Sequence, residues 1–337
     1  MSDPIDVPPE AFTPKPIFPE FPSAKIVAEV REWVKAEPPW AWRGHTHARP
    51  DADEAQEIRY VADFQLPKGI ESPCPCCTPR HPKFGKGFIA WFSRSSCIRL
   101  MGQDCFKTLN PEGHQFAVDE FAQRRERAAQ IAFLIANLPN RGVISAAIET
   151  MLPMAKHLDE LQDIFGEKLR RTWGIDLWQH VREGRLRVAN DSGTFDDYGG
   201  IEGQSLVDPK RKDFAPSLAT ALRGLAGITI SDDLIDADDD QLKKAARAFG
   251  RNVNLARETF SAMTDAKRFV SVLNTATIRN WALQPNAPVR LDIRRENDAV
   301  FVGPSADNRT RVPLHSRIDS ALPDLPHVVV PKEPAGD

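Results

Sequence analysis

All five cysteines of this 337-residue chain, Cys74, Cys76, Cys77, Cys97 and Cys105, fall inside one short segment. An odd number of thiols gathered in one place suits metal ligation in a reducing compartment better than a disulfide framework. Cys74 and Cys77 have the C-x-x-C spacing that lets two thiolates of a tight turn converge on one tetrahedral ion, and Pro73 and Pro75 stiffen that turn. Cys105, in Gly102-Gln-Asp-Cys105, falls at the start of a short helix, where the helix dipole favours a thiolate. The fourth ligand is read as His114, because Asn110-Pro-Glu-Gly113 breaks the helix and can return the chain to the metal; His81 and Cys97 stay open as alternatives. On that reading Cys76 is a spare thiol of the knuckle. The expected ion is zinc in a structural role, since neither H-x-E nor H-E-x-x-H, the strings that supply a catalytic zinc with a base, occurs in the sequence. A cysteine-rich core without metal is the competing reading.

The elements that must position these thiols are a strand, a hairpin and a helix. Glu57 to Leu66 alternates, with Ile58, Tyr60, Ala62 and Phe64 on one side, and reads as a half-buried strand leading into the knuckle. Gly87 to Ser93 and Cys97 to Met101 read as two strands around Arg94-Ser-Ser96. The order C-x-x-C, hairpin, then Gly102-Gln-Asp-Cys105-Phe-Lys-Thr-Leu109 resembles the treble-clef zinc fingers, and with the helical pattern that follows it is similar to bacterial and phage-encoded proteins in which such a finger precedes a helical body. The likeness covers about residues 70–116. It implies a structural zinc, in a group whose members mostly bind nucleic acids or proteins, and it departs from the pattern in lacking a fourth cysteine.

Composition bounds the rest. A hydrophobic share of 41% allows two or three cores, while a formal net charge of −3 argues against wholesale polyanion binding. The start lacks the pattern of a signal peptide and no apolar run approaches the roughly 20 residues that span a bilayer, so the expectation is a soluble, cytoplasmic protein with no membrane partner. Prolines punctuate residues 1–22, which read as a disordered arm. Residues 23–54 read as a capped helix and a Trp-rich connector carrying Trp40 and Trp42, with His45 and His47 taken as surface histidines. The zinc finger is assigned to 55–118, a mainly helical body to 119–310, and a proline-rich tail to 311–337. Within the body, Asp191, Asp196 and Asp197 fall in a polar surface loop. Leu242, Ala246, Phe249, Val253, Ala256, Phe260 and Met263 form an a/d seam expected to pack on the following helix, and Val289 to Ile293 with Ala299 to Val302 read as a terminal β-hairpin.

The fold class is therefore α+β: a small treble-clef-like domain joined to a helical body with a C-terminal hairpin. Its function is expected to be that of a zinc-binding module rather than an enzyme. The candidate partners are a protein, or nucleic acid met by Arg124, Arg125 and Arg127 with Trp40 and Trp42 as stacking platforms. A protein serving structure or assembly alone is the alternative.

Overall fold

The computed structural model describes residues 3–230 and 234–331. The chain divides after Ala129 into two compact units.

The first unit is built on a three-stranded antiparallel sheet in the order β1 (Ile58–Gln65), β2 (Lys86–Phe92), β3 (Cys97–Gly102). The alternation in β1 is kept: Ile58, Tyr60, Ala62 and Phe64 are buried and Arg59, Val61 and Asp63 are not. Every residue of β3 is buried, so this strand is covered on both faces. Helix α1 (Ala24–Ala36) contributes Val30 and Val34 to the same core. The proline-rich arm does not stand off as a disordered tail. Its amides bond to the domain, Ile5 to the Arg80 carbonyl (2.7 Å) and Phe18 to the Ser96 carbonyl (2.9 Å). Phe18 also stacks on Trp42, and Phe21 meets Trp91 edge-on. Proline removes donors but not apolar area, and three phenylalanines in the arm supply enough of it to bind.

Helix α2 (Pro111–Asn137) follows a short 3₁₀ turn, Phe106–Thr108. Here the sequence reading is corrected. Asn110-Pro-Glu-Gly113 opens a helix instead of ending one. Proline is tolerated at the first helical position, where its missing N–H has no partner to lose, and Asn110 Oδ1 caps the turn by accepting from the Gly113 amide (2.9 Å).

The second unit packs α3 (Arg141–Gln162), α6 (Phe214–Ala226) and α7 (Asp239–Ala266) around one core. The whole a/d seam of α7 is buried. Its chief partner is α6 rather than the next helix, α8 (Val272–Ala282). Gly224 explains the close crossing: a Cβ there would stand 2.2 Å from Asn252 Oδ1. A π-helical turn, Asp163–Lys168, joins α3 to α4 (Leu169–Trp173), and α5 (Leu177–Val181) follows. The interval read as a polar loop is a hairpin, β4 (Arg185–Ala189) with β5 (Phe195–Gly200), closed by Asn190, whose side chain bonds across the turn. In that hairpin Asp197 is paired with Arg185 (2.8 Å). The C-terminal sheet has three strands, not two: β6 (Asp292–Glu296), β7 (Ala299–Ser305) and β8 (Asn308–Pro313). The tail beyond it buries Leu325 and Val328, and Val330 lies on Gly250 so closely that a Cβ there would meet its methyl at 1.9 Å.

Among the described residues, the helical stretch 111–173 contains one window long and apolar enough to cross a membrane by length and composition, which the sequence reading did not foresee. Phe133, Leu134, Ile144 and Ile148 of that stretch belong to the core of the second unit.

Candidate metal centre

The knuckle is a closed turn. The Cys74 amide bonds to the Thr78 carbonyl (2.9 Å) and the Thr78 amide returns to the Cys74 carbonyl (3.0 Å), which leaves the side chains of Cys74 and Cys77 on one small loop. The 3₁₀ turn after β3 brings in Cys105. The sulfurs of Cys74, Cys77 and Cys105 all lie within 4.8 Å of one another, with Cys74 and Cys105 buried and Cys77 exposed. Gly102 makes this approach possible, since a Cβ at that position would stand 2.6 Å from the Cys105 sulfur and 3.1 Å from Phe84 Cβ.

The electrostatics are those of a site prepared for a cation. Cys74 is driven toward the thiolate, first by the neighbouring thiol of Cys105 and then by those of Cys76 and Cys77, against the opposing pull of burial. Cys105, Cys77 and Cys76 are pushed the other way, first by their bonds to the Cys74 sulfur and then by burial. The three sulfurs of Cys74, Cys77 and Cys105 stand close enough for a soft dication to take the place of their protons. Three thiolate donors suit zinc in particular.

Cys74, Cys77 and Cys105 are the three ligands read from the sequence, and the fold brings them together. It does not bring His114 to them. Because α2 begins at Pro111, His114 sits in its first turn facing β1, where its Nδ1 shares a hydrogen bond with the Tyr60 hydroxyl (2.6 Å). Burial keeps the Tyr60 phenol protonated and lowers the His114 pKa, so the pair is a neutral hydrogen bond. The two open alternatives also lie elsewhere. Cys97 is fully buried, with its thiol donating to the Ser95 carbonyl (3.2 Å), and His81 is exposed and lies outside the three-sulfur group. Cys76, beside Cys74, directs its thiol to the Met101 sulfur (3.5 Å).

Sequence reasoning missed the support beneath the knuckle. His45 and His47 are not surface residues; both are wholly buried. The Leu100 amide donates to His45 Nδ1 (3.0 Å), His45 Nε2 pairs with His47 Nδ1 (2.9 Å), and His47 Nε2 pairs with the Pro79 carbonyl (2.9 Å). Since an amide must donate and a carbonyl must accept, both rings are neutral and protonated at Nε2. The relay ties β3 to the chain just after Cys77. Burial holds both histidines below their ordinary pKa, in His45 with help from the neighbouring His47 and Arg99. Arg99 is itself buried, bonded to the Ala48 carbonyl (2.9 Å) and Glu54 (2.9 Å) over the Phe92 ring. The parallel bridge between His45 and Ile98 places this segment beside β3, and H-x-H beside Trp42-Arg-Gly44 carries no periodicity that could announce it.

Of the residues singled out as nucleic-acid contacts, Arg124, Arg125 and Trp42 are engaged within their own unit. Arg124 bonds to the Tyr60 carbonyl and pairs with Glu120 (3.5 Å), and Arg125 pairs with Asp63 (3.4 Å). Trp42 is buried with its indole N–H on Glu29 (3.1 Å), and Trp40 is half-buried. Compared with protein-family models, with curated proteins and with solved structures, the chain finds no match.

Proposed function

We propose that this protein is a zinc-dependent binding module in which one ion, held by Cys74, Cys77 and Cys105, locks the knuckle to the end of the β2–β3 hairpin. The observation that carries the reading is the convergence of three sulfurs from two chain segments within 4.8 Å. The succession of knuckle, hairpin and Cys105 turn supports the treble-clef likeness as a local arrangement. Neither H-x-E nor H-E-x-x-H supplies a base for a zinc-bound water, which favours a structural over a hydrolytic role. Binding of a partner protein is the better of the two partner readings, because Arg124 and Arg125 already have carboxylate partners and a protein of net charge −3 gains little from phosphate contacts.

The test is elemental analysis of protein purified without added metal. About one equivalent of zinc per chain is expected, and Cys77→Ser, which changes an exposed side chain, should lower it sharply. Protein that is folded and metal-free after expression in zinc-replete medium would overturn the reading.

A further inference from the structure

Resting on that zinc reading, we infer that the chain supplies only three of the metal's four donors and that the fourth is an exchangeable neutral ligand from solution, water in the first instance and a nitrogen base of imidazole type when one is present. Four side chains of this unit that could serve are committed elsewhere. The His114 Nδ1 faces the Tyr60 hydroxyl at 2.6 Å. His45 and His47 use all four of their ring nitrogens in the relay from the Leu100 amide to the Pro79 carbonyl. Cys97 donates to the Ser95 carbonyl, at the far end of β3 from the knuckle.

Cys76 is the strongest internal competitor, because it lies in the knuckle itself, between Cys74 and Cys77 in the chain. Its sulfur does not fall within 4.8 Å of all three others, however, and it rests against Met101 at the buried side of the cluster. Charge points the same way. Zinc with three thiolates is already a net anion, and a fourth thiolate would put a second negative charge beside the buried core. Arg99, which is buried in that core, is neutralised by Glu54 at 2.9 Å. The site opens instead at Cys77, the exposed member of the three, so a ligand can arrive from solvent. A neutral donor completes the tetrahedron without adding charge.

X-ray absorption on the zinc-loaded full chain decides the matter, with optical spectra of the cobalt-substituted protein as a second readout. Three sulfur neighbours and one oxygen or nitrogen are expected. That count should be unchanged in Cys76→Ser and Cys97→Ser, and millimolar imidazole should shift the cobalt ligand-field bands. Four sulfurs in the native protein, falling to three in Cys76→Ser or Cys97→Ser, would overturn the inference while leaving the zinc reading intact. So would an imidazole signature that vanishes in His114→Ala or His81→Ala, or a cobalt spectrum indifferent to imidazole. Protein that takes up no metal would remove both.

Discussion

The two units of this molecule are held together by different means. The second unit is an apolar core in the ordinary sense: α3, α6 and α7 bury leucine, phenylalanine and valine against each other, and the seam of α7 is wholly inside. The first unit has a smaller core, and its most buried positions include a cluster of thiols, two histidines and an arginine. Hydrophobic area is non-directional and tolerant of small errors, whereas buried polar groups count only when each finds its partner. Stability in the first unit should therefore be conditional on metal, protonation and geometry, and in the second it should depend mainly on volume.

The largest break in this comparison comes from removing the metal. Because ligand binding and folding are coupled, the zinc contribution is of order 10 kcal/mol. A strong chelator, or Cys74→Ser, should unfold the first unit and leave the second. Trp33, Trp40, Trp42 and Trp91 lie in the first unit and Trp173, Trp178 and Trp281 in the second, so emission should report partial exposure while the far-ultraviolet helical signal is largely kept. Simultaneous loss of both signals would show that the units are not independent in this sense.

Acid should separate the units in the same direction. His45 and His47 have their pKa lowered in the fold by burial, so the unfolded chain binds protons that the folded one refuses. Their contribution is complete above the ordinary histidine value, about 6.5, and is lost as pH falls below it toward the lowered folded values. Thiolate protonation and metal release add to it. Acidification should therefore unfold the first unit before the second, in a titration followed by the same two signals with zinc held in excess.

The converse break is Phe249→Ala, which empties a fully buried position of the α7 seam. Loss of a buried phenylalanine costs about 3–5 kcal/mol. It should lower the denaturant midpoint of the second unit while the zinc content stays at its native value.

How much of this contrast was legible in the sequence follows from its physics. The apolar seam of α7 and the alternation of β1 were readable because burial repeats with the period of the backbone, and the three cysteines because ligand spacing is short and local. The partner of α7 was not, since the choice of α6 rests on Gly224 meeting Asn252, a contact between distant positions. His114 was misplaced because a proline can end a helix or begin one, and the capping bond from Asn110 decides which. His45, His47 and Arg99 were invisible as core residues because polar burial has no period; it depends on donors and acceptors that the fold assembles from three separate segments.

A finer test within the first unit is Gly102→Ala. The added methyl would stand 2.6 Å from the Cys105 sulfur and 3.1 Å from Phe84 Cβ, so the end of β3 that carries Cys105 toward the knuckle would have to move. Groups that orient metal ligands typically cost about 10–100-fold in affinity when disturbed. Competition for zinc with a chromophoric chelator should show a loss in that range with the second unit unchanged, and native affinity would mean that the β3 end gives way freely.

The smallest effect sharpens the comparison from the other side, through an end of α7 where neither volume nor metal is involved. Asp238 has extended backbone angles and its carboxylate accepts from the Gln241 amide (2.7 Å), satisfying one of the four N–H groups that a helix leaves unpaired at its start. Its negative charge also complements the positive end of the helix dipole. Asp238→Ala removes both contributions, while Asp238→Asn keeps the acceptor and removes the charge. Alanine should destabilise the second unit by about 1 kcal/mol and asparagine by less, both without change in bound zinc. Equal losses in the two variants would assign the effect to the charge, and no loss in either would mean that packing of the Leu242 to Met263 seam alone holds the helix start in place.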